Sequence, residues 1–148
     1  MTWATERLEM IKAGTVDLPP VVQTLKLGLI EDWGPGWVRK RWRGVPETLN
    51  VDGSMFGGYI AALADQILTF AAMTVVPGNS AFRTANLSLQ FLKLTRGEPL
   101  VIEARVLAQS KQTIAVEAEF RTESGALVAK AIAQQIVTPF PAPAPSAP

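Results

Sequence analysis

Two adjacent glycines, Gly57 and Gly58, followed along one apolar run by a single carboxylate, Asp65, are the residues whose types and spacing point to chemistry. The run from about Gly57 to Met73 is apolar on nearly every side (Tyr59, Ile60, Leu63, Ile67, Leu68, Phe70 and Met73 among alanines), and only Asp65, Gln66 and Thr69 interrupt it. Such a run is a helix that other structure must wrap. A membrane span is the poorer alternative, because a central carboxylate and amide are costly in lipid. In the first turn of a helix the backbone N–H groups lack intrahelical partners, the peptide dipoles add positive charge, and glycine lets a substrate oxygen approach. That is the chemistry of an oxyanion site. A carboxylate inside an apolar helix is expensive unless paired, hydrogen-bonded or used, so Asp65 is either a reacting group or a side chain that fixes packing through a neighbouring donor.

A rise of about 1.5 Å per residue puts Gly57 and Asp65 roughly 12 Å apart along the axis, too far for both to touch one carbonyl. If both serve one site, two chains build it. A two-fold dimer with antiparallel central helices would bring Gly57 of one chain near Asp65 of the other. The chain contains no His and no Cys, which removes imidazole acid/base chemistry, the Ser-His-Asp triad, thiolate nucleophiles, disulfides and the common zinc ligand sets. Acid/base work near neutral pH falls to carboxylates, Tyr59 or Lys.

The helix needs elements to hold it. Residues 4–13 suit a short helix with Leu8 and Ile11 on one face, ended by Asp17 to Pro20. A strand is expected from about Val22 to Glu31, turning through the WGPGW sequence, Trp33 to Trp37, into a second strand, Val38 to Arg43. Beyond Pro77 and Gly78 the period becomes two. Ala85, Leu87, Leu89 and Phe91 alternate with Asn86, Ser88 and Gln90, and Leu100, Ile102, Ala104 and Val106 alternate with Glu103, Arg105 and Gln109. Ile114, Val116, Ala118 and Phe120 alternate with Glu117, Glu119 and Arg121, and a last strand, Ala126 to Val137, follows the turn at Ser124 and Gly125. One apolar and one polar face marks an antiparallel sheet covering something, here the helix.

At 148 residues, 48% hydrophobic and 18% charged, the chain is expected to be globular: a helical segment over 1–20, one domain over 21–138 and a disordered Pro/Ala tail over 139–148. A net charge of +1 gives no overall attraction to nucleic acid or acidic membranes. The dense basic run Arg39, Lys40, Arg41 and Arg43, interleaved with Trp42, is ranked first as a solvated strand paired with Glu31 and Asp32, second as a cofactor-phosphate site, and last as a nucleic-acid site. The N-terminus does not look like a signal peptide, which makes a cytoplasmic location the default expectation.

A hairpin, one long apolar helix and several antiparallel strands in this order resemble the hot-dog fold, an α+β arrangement with an antiparallel sheet of five to six strands wrapped around one long central helix. Asn50, Gly53, Gly57, Gly58, Ala62, Leu63, Ala64 and Asp65, followed by Thr84, Leu87, Leu89, Phe91, Leu92 and Gly97, resemble the phenylacetate-degradation type of acyl-CoA thioesterase over roughly residues 22–137. The resemblance implies that Gly57 donates its N–H to the thioester oxygen and that Asp65 of the partner chain acts as nucleophile or as base toward water. It further implies that Asn50 helps hold the water or the carbonyl and that Thr84 orients the carboxylate or its water. Polarising a carbonyl and setting an anion opposite it needs no metal, and coenzyme A enters only as part of the substrate. Phe56 and Gly58 at the helix start and Leu68 on the helix are taken as substrate-binding positions beside an acyl or aryl tunnel. Arg83, Lys93 and Arg96 are candidates for the coenzyme A phosphates, with solvated surface the alternative for each.

One position departs from the resembled pattern: Phe56 stands where the family carries His. Losing a side-chain donor worth about 2.7–4 kcal/mol leaves outcomes from a slower enzyme to an acyl-CoA binder without turnover. Ser54 is a competing helix cap for the N–H of residue 56 or 57. Thr84 is in phase with the outward Asn86 and Ser88, so it reaches the site only at the lip of the sheet or where the strand twists. Two functions are expected from these residues: a homodimeric or homotetrameric acyl-CoA thioesterase, or a non-catalytic hot-dog module that binds acyl-CoA or only assembles. Neither involves nucleic acid or membrane.

Overall fold

The computed structural model describes residues 1–143. Helix α1 covers Trp3–Lys12 and a short α2 covers Pro20–Leu25; the hairpin β1 (Asp32–Gly34) and β2 (Trp37–Trp42) comes next. A single turn of 3₁₀ helix at Pro46–Thr48 leads to the central helix α3, Gly57–Met73. Strands β3 (Ser80–Phe91), β4 (Leu100–Gln109), β5 (Thr113–Thr122) and β6 (Leu127–Pro139) follow. All six strands form one antiparallel sheet in the order β1-β2-β4-β5-β6-β3. This is the hot-dog arrangement expected from the element order.

The helix is wrapped because each strand offers it one apolar row. Ile102 and Ala104 of β4, Ile114, Val116, Ala118 and Phe120 of β5, and Ala129, Ala131 and Ala133 of β6 are buried at alternate positions. Against them lie Leu63, Ala64, Ile67, Leu68, Ala71 and Ala72 of α3, all fully buried. Burying one such leucine or isoleucine contributes about 1.5–3 kcal/mol, so α3 is held by packing rather than by its glycine-led start. Helix α1 adds Ala4, Leu8 and Ile11 to the same core, and a capping box between Thr2 and Thr5 starts it. Among the described residues no helix is long and apolar enough to cross a membrane.

The strand expected over Val22 to Glu31 does not form. Pro20 sits in the first turn of α2, where its fixed φ and missing N–H suit a helix start. Lys26 (φ 50°) and Gly28 (φ 71°) then turn left-handed, which an extended strand does not allow. The segment 26–31 becomes an irregular strap with Leu27 and Ile30 buried, and the first strand of the hairpin shrinks to Asp32–Gly34. The basic run is also not uniformly solvated. Arg39, Arg41 and Arg43 are exposed, but Lys40 lies on the inward row of β2 and is fully buried. Asp32 faces Arg39 in register, yet its salt bridge is with Lys12 at 2.7 Å.

The tail is structured at its start. β6 runs through Pro139, the Phe140 N–H donates to the Asn79 carbonyl at 2.8 Å, and the Phe140 ring lies 6.3 Å from that of Trp3. Residues 144–148 of the expected disordered tail lie outside the described residues.

Candidate active site

Local sequence builds the N-terminal end of α3 as an open donor site. The Asn50 N–H donates to the Ser54 carbonyl at 2.7 Å and the Gly53 N–H to the Asn50 carbonyl at 2.9 Å, a tight turn that Gly53 closes at φ 82°. The expected Ser54 cap is absent: the Ser54 hydroxyl donates to Asp52 Oδ1 at 2.6 Å and accepts from Asn50 Nδ2 at 3.1 Å. The Ser54 hydroxyl and then its backbone N–H hold the Asp52 carboxyl below its ordinary range. Arg96 fastens the turn, donating from Nη1 to the Asp52 carbonyl at 2.8 Å. The residue in the cap position is Phe56, and no side chain caps the helix. Its first N–H groups are therefore left for a ligand.

Neighbouring rings crowd both glycines, Gly58 more tightly than Gly57. A Cβ on Gly58 would sit 2.5 Å from the Phe56 ring, which folds back over it, and a Cβ on Gly57 would sit 3.2 Å from the Phe91 ring. Gly57, Asn50 and Lys93 line one cleft together with Phe91 and Leu94. Asn50 and Phe56 also line a second cleft of about 450 Å³, with Leu25, Val45, Leu49 and Tyr59 as its apolar walls. Tyr59 has no free proton to offer. Its hydroxyl accepts from Trp42 Nε1 at 3.0 Å and donates to the Leu25 carbonyl at 2.8 Å, and burial pushes the phenol up.

Asp65 is elsewhere, exposed on α3 in a cleft with Val22, Leu25, Ala62, Gln66 and Phe70. Thr84 reaches it. The β3–β6 register pairs Thr84 with Gln135 and Asn86 with Gln134, so Ala85 is an extra residue in a β-bulge. The bulge shifts the phase of the strand. Phe82 and Thr84 before it and Leu87, Leu89 and Phe91 after it all pair with buried inward residues of β6, while Ala85, expected inward, is exposed. The Thr84 hydroxyl lies 2.9 Å from Asp65 Oδ1 and 3.0 Å from Gln135 Oε1.

Beneath this cleft the buried Lys40 donates from Nζ to the Leu27 carbonyl at 2.9 Å and to Gln66 Oε1, while Gln66 Nε2 donates to the Gly28 carbonyl at 2.8 Å. Burial pushes Lys40 down to about 7. The other expected contact residues are dispersed. Leu68 is fully enclosed in the core and Arg83 is exposed on β3, whereas Lys93 lines the Gly57 cleft and Arg96 braces the Asn50 turn. Among the described residues, Gly57 and Asp65 line different clefts. Gln135 escaped sequence reasoning and Lys40 was read only as part of the basic run, although each was visible as a lone polar side chain in the apolar phase of a strand.

A family model described as the thioesterase superfamily matches residues 52–129 of the chain. Among solved structures, a phenylacetic acid degradation-related protein of Ralstonia eutropha is 24% identical, over 87% of this chain and 98% of that one, with a TM-score of 0.77. A hypothetical thioesterase protein of Streptococcus pneumoniae, solved with coenzyme A, is 25% identical over 76% of this chain and 87% of that one, with a TM-score of 0.69. A Streptococcus mutans protein bound to acetyl-CoA is 26% identical over 76% and 90%, with a TM-score of 0.69. No curated protein matches the chain significantly.

Proposed function

The chain belongs to the thioesterase superfamily, and from that premise we propose that it hydrolyses an acyl-CoA or aryl-CoA thioester to the free acid and coenzyme A at a site shared by two chains. The observation that carries this is the split itself. An uncapped helix start at Gly57 and a threonine-held carboxylate at Asp65 occupy separate clefts of one chain, and each is half of what thioester hydrolysis needs. Exposed Phe56, Phe91, Leu92 and Leu94 near the first half, and Leu18, Val21 and Leu25 near the second, are apolar surface that a second copy would cover.

In this mechanism the Gly57 N–H binds the carbonyl oxygen, with Asn50 beside it. Asp65 of the opposing chain, oriented by Thr84, takes a proton from water as the water oxygen bonds to the carbonyl carbon. Attack by the carboxylate itself is the alternative route, through an anhydride that water then opens. The oxyanion's electron pair returns to the carbonyl as the C–S bond breaks, and the thiolate collects a proton afterwards. A thiol is a far stronger acid than an alcohol and leaves as the anion without an obligatory acid, which is why Phe56 in place of histidine is compatible with turnover. Lys93 in the Gly57 cleft is the nearest candidate for a coenzyme A phosphate. The reading includes a cytoplasmic location and assembly as a dimer or tetramer.

One observation favours a second reading. The Phe56 ring covers Gly58 and supplies no donor, so a module that binds acyl-CoA without turnover fits the same clefts. Free-thiol release from short, long and aromatic acyl-CoA substrates separates the two. The thioesterase gives turnover that Asp65→Asn abolishes while leaving the melting temperature near wild type. Thermal stabilisation by acyl-CoA without thiol release selects the binding module.

A further inference from the structure

We infer that Gln135 is a positioning residue for Asp65, acting through the Thr84 hydroxyl. Gln135 occupies the inward row of β6, whose other members are Ala129, Ala131, Ala133 and Val137, and it is fully buried. An amide there is costly unless it is hydrogen-bonded, and its Nε2 has no partner among the described residues. Its other end lies 3.0 Å from the Thr84 hydroxyl oxygen, which is itself 2.9 Å from Asp65 Oδ1.

Thr84 has one proton and two neighbouring acceptors. The ionised carboxylate is the stronger, so the hydroxyl proton goes to Asp65. The Thr84 oxygen then faces Gln135 with only lone pairs to offer, and two acceptors would oppose each other at 3.0 Å. Turning the amide about its last torsion resolves this, because its two ends are nearly the same shape. Nε2 then donates to Thr84, and Thr84 donates to Asp65. The buried donor gains a partner, and a bare carbonyl oxygen is the cheaper group to leave in its place. The directed chain Gln135 → Thr84 → Asp65 fixes which way the threonine proton points and so holds one carboxylate oxygen, leaving the other for substrate or water. The Ala85 bulge brings Thr84 and Gln135 directly opposite each other on the inward face.

The kinetic arm of the test rests on the thioesterase reading; the spectroscopic arm does not. Gln135→Met, an apolar side chain of similar length, is expected to lower kcat for thiol release about tenfold with KM within about twofold. It should leave the melting temperature unchanged or higher, since it removes a buried polar group. Thr84→Ser keeps the hydroxyl and retains most of the turnover; Thr84→Val behaves like Gln135→Met. In a Thr84→Val background, which keeps measurable turnover, Gln135→Met should add no further loss. The side-chain amide signals of Gln135, identified by ¹⁵N NMR as those missing in Gln135→Met, should shift in both Thr84→Val and Asp65→Asn. Amide signals indifferent to both substitutions overturn the chain whether or not the wild type turns over any substrate. Unchanged kcat in Gln135→Met with a lowered melting temperature overturns it in favour of packing alone.

Discussion

Phe56 sits with its ring over the Cα of Gly58, where an added Cβ would approach it to 2.5 Å, and more than half of its surface is exposed. Its side chain therefore contributes little to the core and lies next to the helix N–H groups that would bind a carbonyl oxygen. Phe56→His is expected to keep the fold and restore a donor, raising kcat by up to roughly a hundredfold if the imidazole reaches the oxyanion. Thiol-release assays on purified wild type and variant decide it, and an unchanged kcat would mean that the Gly57 backbone donor alone sets the rate. The glycine pair and Asp65 could be singled out as candidates in the sequence because each breaks the logic of an apolar helix. The fate of Ser54 was not, because Asn50 and Asp52 compete for its hydroxyl and a turn closed by Gly53 brings them within reach.

At the scale of elements, Lys40 of β2 ties the 26–31 strap to α3 through the Leu27 carbonyl and Gln66. Burial lowers its ammonium from the ordinary 10.5 to about 7. Unfolding returns it to the ordinary value, so above pH 7 and up to the unfolded value the unfolded state holds the extra proton and stability rises with pH, by at most about 1.4 kcal/mol per unit from this group. Below that window the lysine is charged in both states and adds no slope. Chemical denaturation of wild type and Lys40→Met across the window should give a difference in unfolding free energy that grows in the wild type's favour as pH rises and is flat on the acid side. Parallel curves throughout would refute the depressed pKa. Of the elements themselves, α1, α3 and the last four strands could be read from period alone, because their apolar rows face one core. The strap could not, since Pro20 and the left-handed Lys26 override the strand-like residues between them. Nor could the side chosen by Thr84, which depends on a bulge one residue away that no alternation pattern records.

At the scale of the whole molecule, the proposal that Gly57 of one chain and Asp65 of another form one site can be tested by complementation. Gly57 is the first residue of α3, where proline fits, and Phe56 before it is already extended at φ −63° and ψ 125°. Gly57→Pro thus removes the oxyanion donor while preserving the helix start, with only the Phe91 ring needing to move. Asp65→Asn removes the other half. Each variant alone should be inactive. Refolded together in equal amounts, half of the dimers would pair one variant with the other, and each such dimer carries one intact Gly57–Asp65 site, so about a quarter of wild-type turnover should return. Sedimentation of the same mixture confirms that dimers formed. If both reacting groups belonged to one chain, no mixed dimer could contain a complete site, and a well-formed dimer population without recovered activity would rule out the shared arrangement.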